Sequence, residues 1–198
     1  MNNQSVVLAS HNQGKLAELR SLFAAMGREL ISLPDHSATA PAETASTFVE
    51  NALIKARHAA ALTGFPALAD DSGLCVHALA GAPGVRSARY AGANASDAEN
   101  NTALLQAMAG VTDRRAYFLC VLVYLREPFD PEPLIAAGRW PGEILQAPRG
   151  EHGFGYDPLF FDPSQRCSSA EMAGDLKNTL SHRARAAALL ATLLHDRP

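Results

Sequence analysis

The chain has 198 residues, 47% of them hydrophobic, enough to bury a substantial core as a single domain over residues 1–198. Twenty acidic and seventeen basic residues give a formal charge of −3, which argues against a general nucleic-acid surface and leaves room for a small cationic pocket. Three widely spaced cysteines, Cys75, Cys120 and Cys167, fit neither a disulfide framework nor a zinc knuckle, and no apolar run approaches membrane-spanning length, so a free-thiol, cytoplasmic protein is expected.

The chain opens without a basic segment, and Val6 to Ala9 reads as a buried first strand and not as a signal peptide. Leu16, Leu19, Leu22, Phe23 and Met26 then recur at helical spacing, with Gly27 as the stop. Leu30 to Leu33 predicts a second strand. Thr47 and Glu50 have the spacing of a capping box, opening a helix through Leu53, Ala56 and Ala60 to about Leu62 that Gly64 and Pro66 end. Ala67-Leu68-Ala69 and Leu74-Cys75-Val76 read as two strands interrupted by Asp70-Asp71-Ser72-Gly73. Gly81-Ala82-Pro83-Gly84 reads as a structural turn.

Ser96 and Glu99 form a second capping-box pair before a helix through Leu104, Leu105 and Met108. Tyr117 to Leu125 is the most apolar stretch and reads as a central strand, with Leu134 to Trp140 as its antiparallel neighbour. A Gly- and Pro-rich loop is expected from Pro141 to about Asp162. The last helix runs from near Ser181 to His195, with Leu189, Leu190, Leu193 and Leu194 inward. Alternating strands and helices predict an α/β protein with a mixed sheet.

Four segments carry chemistry. Only three of the seventeen basic residues are lysines, Lys15, Lys55 and Lys177, and each stands among polar residues, where a compact ammonium serves better than a planar guanidinium fork. Ser10-His11-Asn12-Gln13-Gly14-Lys15, between a strand and a helix, has the physics of a phosphate-binding turn, with open helix N–H groups, a favourable dipole and a full positive charge. The plainer reading is an Asn cap beside a solvated lysine. Asp70 and Asp71 converge on one ion only if the chain turns at Ser72-Gly73, and buried-looking flanks favour a cation such as Mg²⁺ over a plain surface turn.

His182, Arg183 and Arg185 begin the last helix, where its dipole disfavours cations, so an anion is expected there unless the patch is merely solvated. Gly153-Phe154-Gly155-Tyr156-Asp157-Pro158 offers close backbone approach and an aromatic ring to stack on a flat base, or is an ordinary loop. His36, His58, His77 and His195 show no partner spacing, and Met26, Met108 and Met172 read as packing residues. Together the four segments describe a polyphosphate, a divalent ion and a planar base.

Six motifs then occur in order: Ser10-x-Asn12-x-x-Lys15; Thr47-Phe48-x-Glu50-Asn51-Ala52 with Lys55; Asp70-Asp71-Ser72-Gly73-Leu74; Gly81-Ala82-Pro83-Gly84 with Ser87-Ala88-Arg89-Tyr90; Phe154-Gly155-Tyr156-Asp157-Pro158; and Ser181-His182-Arg183. From Val6 to about Leu194 the chain resembles the inosine triphosphate pyrophosphatase family, most of all its bacterial dITP/XTP branch. The resemblance implies hydrolysis of dITP/ITP and XTP/dXTP to the monophosphate and pyrophosphate, Mg²⁺ dependence and a homodimer. It also implies a mixed central β-sheet flanked by helices, in two lobes with an active-site cleft between them. It assigns phosphate binding to Ser10, His11, Asn12, Gln13, Gly14, Lys15 and Lys55, and the metal to Glu43, Asp70 and Asp71. Asp71 would be the general base, and Ser72, Phe154, Gly155, Tyr156, Asp157, Lys177, His182 and Arg183 would hold substrate. Ala45 departs from the family's usual Gly and Leu176 from its usual acid. Two other readings are a Maf-like nucleotide pyrophosphatase of other base specificity and a non-hydrolysing nucleotide-binding regulator. Neither nucleic acid nor membrane is expected as a partner.

Overall fold

A computed structural model describes residues 5–10, 12–25, 27, 29–33 and 41–196 of the chain. Its seven strands form one sheet in the order β2-β1-β3-β4-β5-β6-β7. They are β1 (Val6–Ala9), β2 (Leu30–Ser32), β3 (Ala67–Val76), β4 (Arg115–Leu125), β5 (Leu134–Ile144), β6 (Phe160–Asp162) and β7 (Cys167–Ser168). The helices are α1 (Gln13–Ala25), α2 (Phe48–Thr63), α3 (Asp97–Ala107), α4 (Gly174–Leu180) and α5 (His182–His195). β1 pairs in parallel with β2 and β3, whereas β6 pairs antiparallel with β5 and β7, so the sheet is mixed as expected. Among the described residues no helix is long and apolar enough to cross a membrane.

The chain divides into two compact units. The first takes its described residues from Met1–Asp71, Cys120–Gly138 and Arg183–Pro198, and the second comprises Ser72–Leu119 and Arg139–His182. In the first, β1 is buried on both faces, as a strand covered by helices must be. One face of β1 and β3 carries Leu8 and Leu68, which pack with Leu16, Leu19 and Phe23 of α1 and with Ala186, Ala187 and Leu190 of α5. Val7 is paired with Ala67 and Ala9 with Ala69, and their side chains alternate onto the opposite face. There α2 packs on β1. Its fully buried Ala52, Ala56, Ala59 and Ala60 let helix and sheet approach closely.

Local chemistry sets the helix ends. Thr47 Oγ1 accepts the Glu50 N–H at 3.3 Å and donates to the Glu50 carboxylate at 2.6 Å, and Gly64 closes α2 in the left-handed conformation. Ser96 and Glu99 complete a reciprocal capping box at α3. The second unit packs around Phe118, Trp140, Phe160, Leu74, Leu104, Met108 and Tyr156.

Several expectations fail. β3 is one continuous strand through Asp70-Asp71-Ser72-Gly73, with no turn, because sheet pairing overrides the local turn chemistry. β5 continues through Pro141 to Ile144, and β6 pairs with it at Glu143 and Ile144, leaving the proline off that ladder. At Gly142 a Cβ would collide with the Phe160 ring and the Phe161 carbonyl, so β5 requires a glycine where it runs beside β6. β6 falls in the stretch expected to be loop, and β7 and α4 lie between it and the last helix, where no element is expected. Leu189, expected inward, is exposed. Met26 and His36 lie outside the described residues.

Candidate active site

Because β3 does not turn, its two aspartates follow the alternation of the strand. Asp70 shares the face of Leu68, toward α1 and α5, and Asp71 shares the face of Ala69, toward α2. The partners agree. Asp70 Oδ1 meets Lys15 Nζ of α1 at 2.6 Å, and Asp70 Oδ2 accepts from Arg183 Nε of α5 at 3.0 Å and from the Cys120 thiol at 3.1 Å. Arg183 also pairs through Nη1 with Glu18 of α1. On the other face Lys55 Nζ of α2 donates to Asp71 Oδ1 at 2.7 Å and to Glu43 Oε1 at 3.1 Å. Asp71 Oδ2 is buried with no hydrogen-bond partner among the described residues. The expected convergence of Asp70 and Asp71 on one ion is therefore not formed.

The two carboxyls titrate in opposite directions. Asp70 is fully buried, which by itself would raise its pKa, but Lys15 and Arg183 outweigh that and hold it well below the usual carboxylate range. Burial pushes the Asp71 carboxyl up, and Lys55 and Lys15 only partly counter it. Lys55 stays charged: burial works against its ammonium, and Asp71 and Glu43 more than offset this. Burial, with Asp70 alongside, pushes the Cys120 thiol well up, so it remains a neutral donor.

The strand-to-helix segment at the start of α1 is capped by Asn12, whose Oδ1 accepts the Lys15 N–H at 3.0 Å, while the Asn12 N–H donates to Ser10 Oγ at 3.3 Å. Gln13 and Gly14 follow in the first turn, where N–H groups lack intrahelical acceptors. Lys15 is not the solvated lysine of the plainer reading: its side chain is 17% exposed and bound to Asp70. His11 lies outside the described residues. The anions met by Arg183 at the start of α5 are the protein's own Asp70 and Glu18.

In the second unit, Asp157 organises the aromatic loop. Its Oδ2 accepts from Lys177 Nζ at 2.6 Å and from the Phe154 N–H at 2.9 Å, and its Oδ1 accepts from Ser169 Oγ at 2.9 Å. Gly153, at φ +80°, lies so close beneath that a Cβ there would strike the Asp157 carboxylate. Lys177 Nζ sits 5.0 Å above the centre of the half-buried Phe154 ring. Gly155 is held at both backbone groups by Asp97 and Asn101 of α3. Tyr156 is buried in the core with its hydroxyl donating to Ser87 O at 2.9 Å, so its ring is not presented for stacking. His182 is buried against Phe118, ring centres 4.8 Å apart and nearly parallel, and Ser72 is half-buried on β3.

Two groupings thus emerge: Lys15, Lys55, Glu43, Asp70, Asp71 and Arg183 in the first unit, and Phe154, Gly155, Asp157, Lys177 and His182 in the second. Sequence reading missed Glu18, Ser169, Asp97 and Asn101. Of these only Glu18 left a signal, a carboxylate one helical turn beyond Lys15. Among the described residues no three His, Cys, Asp or Glu side chains come together to hold a metal unaided. Glu43 and Asp71 do supply two hard carboxylates around a cation, here the Lys55 ammonium, and the orphaned Oδ2 of Asp71 suits a further one. The three cysteines are free thiols.

Known proteins share this chain's sequence and fold. The Ham1 family model matches residues 6–193. The chain is 54% identical to the dITP/XTP pyrophosphatase of Bordetella parapertussis, over 100% of this chain and 96% of that protein. It is also 54% identical to that of Aromatoleum aromaticum, over 98% of each. A HAM1 protein from Coxiella burnetii has a similar structure, with a TM-score of 0.90 and 49% identity, over 98% of this chain and all of that one. The Staphylococcus aureus Ham1 protein follows at a TM-score of 0.83 and 40% identity, over 97% and 98% of the two chains. With the resemblance read from its motifs matched along essentially its whole length, the chain belongs to the Ham1 family.

Proposed function

We propose that this protein hydrolyses non-canonical purine nucleoside triphosphates, dITP/ITP and XTP/dXTP, to the nucleoside monophosphate and pyrophosphate, and so clears them from the nucleotide pool. The observation that carries the reading is Asp71: a buried carboxylate with one oxygen unpartnered among the described residues, its pKa raised by burial, beside a buried lysine. Such a group is poised to take a proton. Relatives more than 50% identical over the full chain are dITP/XTP pyrophosphatases, which supports the substrate class.

In this reading Lys15, Lys55 and the N–H groups at the start of α1 draw in the triphosphate, with Ser10, Asn12, Gln13 and Gly14 shaping the turn. Asp71 accepts a proton from water as the water oxygen bonds to the α-phosphorus. The bond from that phosphorus to the bridging oxygen breaks, and pyrophosphate leaves with the electron pair. Mg²⁺ fits Glu43 and Asp71, and when bound it supplies charge neutralisation for the triphosphate and its leaving group. Asp70 is here the anchor of Lys15 and Arg183, not an ion ligand. Phe154 offers its ring to the base, with Lys177 beside that ring, and Lys177 and His182 serve as donors for a carbonyl at the six-position, which adenine lacks. We further propose a cytoplasmic homodimer, on the motif resemblance and the free thiols.

The test is incubation of the pure protein and Mg²⁺ with ITP, XTP, GTP, ATP and TTP, with pyrophosphate and orthophosphate measured separately. Pyrophosphate from ITP and XTP alone is expected. Orthophosphate as first product, or no turnover, overturns the reading.

A further inference from the structure

Two side chains of α3 close on the backbone of a single residue in the aromatic loop. Asp97 Oδ2 accepts the Gly155 N–H at 2.6 Å, and Asn101 Nδ2 donates to the Gly155 carbonyl at 2.8 Å. The two residues stand four apart, so they project from one face of the helix. The helix is itself fixed at its start by the Ser96–Glu99 capping box. Asp97, Asn101, Phe154 and Gly155 line a groove of about 430 Å³.

Gly155 has no side chain to pack, so only its backbone can be gripped. Its N–H belongs to the peptide plane shared with Phe154, and its carbonyl to the plane shared with Tyr156. Holding both fixes the two planes against each other. Phe154 is bound on its other side as well, where its own N–H donates to Asp157. The backbone that carries the Phe154 ring is therefore pinned at consecutive peptides by three side chains, two of them from α3. Tyr156 is anchored separately in the core through Ser87.

We infer that Asp97 and Asn101 are positioning residues: they set the orientation of the Phe154 ring and thereby the affinity for the purine base. Neither residue is a member of the acid–lysine cluster of the first unit. Loss of either contact weakens binding of the base and leaves binding of phosphate alone. The inference rests on the proposed assignment of the Phe154–Asp157 loop to the base.

The experiment compares Asp97→Ala, Asp97→Asn, Asn101→Ala and Glu99→Ala with the wild type, using calorimetric titration with IMP and, separately, with inorganic triphosphate. Asp97→Ala and Asn101→Ala each weaken IMP binding about tenfold, the scale of one lost hydrogen bond that involves a charge or fixes a loop. Neither changes the affinity for inorganic triphosphate. In turnover of ITP the loss falls on KM, with kcat held within about twofold. Asp97→Asn keeps an oxygen facing the Gly155 N–H and retains wild-type IMP affinity. Glu99→Ala breaks the cap of α3 without touching Gly155, so it lowers the thermal midpoint but leaves IMP affinity in place. Amide exchange at Gly155 speeds up in Asp97→Ala and is restored in Asp97→Asn.

The inference is overturned if Asp97→Ala and Asn101→Ala bind IMP like the wild type. An equal loss toward inorganic triphosphate, or an equal loss in Glu99→Ala, also overturns it, as does a wild type that binds no IMP. Failure of the proposed activity reads differently, as a wild type that releases no pyrophosphate from ITP.

Discussion

Asp70 and Asp71 are neighbours on one strand and meet opposite environments. On the face toward α1 and α5, Asp70 is matched by Lys15, Arg183 and a thiol donor. On the face toward α2, Asp71 shares one lysine with Glu43 and keeps a buried oxygen without a partner among the described residues. A buried charge fully matched by its own protein is architecture. One left in deficit is where a ligand is to come.

The largest expected effects come from removing each charge in turn. Asp70→Asn takes the buried anion from Lys15 and leaves Arg183 with Glu18 alone, and costs about 3–5 kcal/mol of stability, read from the urea midpoint. Asp71→Asn changes stability by no more than about 1 kcal/mol but lowers the rate of pyrophosphate release about 10²–10⁴-fold, the usual contribution of a general base. Equal destabilisation at both sites would erase the distinction between the two faces.

Next come the lysines. Lys15→Arg and Lys55→Arg keep the charge but replace a compact ammonium with a wide fork, and each lowers kcat/KM about tenfold or more while the fold survives. Steady-state assays beside thermal melts check this, and wild-type activity in both variants would reduce the scarcity of lysine to coincidence.

The smallest effect is the pH dependence of stability in the metal-free protein. The folded pKa of Asp71 lies above its unfolded value, so acidification through it favours the fold. The folded pKa of Asp70 lies far below its unfolded value, so the stability it provides is full above the unfolded pKa and is lost as pH falls toward the folded one. Stability measured in EDTA therefore rises slightly before it falls on acidification, and Asp71→Asn loses the rise. A monotonic fall in the wild type contradicts the opposed shifts.

Much of this was legible in the sequence where the determinants are local. Thr47, Gly64, Ser96 and Glu99 mark helix ends because capping is short-range chemistry, and the structure puts the ends there. The same local logic failed at Asp70-Asp71-Ser72-Gly73, whose residues prefer turns in isolation but lie in a strand with sheet neighbours. β6, β7 and α4 are too short for a periodic signal. Within the candidate site, the types and most positions of the charged groups could be read, but not their pairing. Nothing in the chain announces that Arg183 will meet Asp70 across 113 positions, or that Asp97 will meet Gly155 across 58.

Gly153 carries a consequence for how the protein tolerates change. Any β-carbon there would push the Asp157 carboxylate away from Lys177 and from the Phe154 N–H, on a backbone already turned to φ +80°. A residue with no side chain would therefore score in a saturation screen as though it were chemically essential, with alanine as damaging as tryptophan. The intolerance would belong to Asp157, borrowed by its neighbour through lack of space.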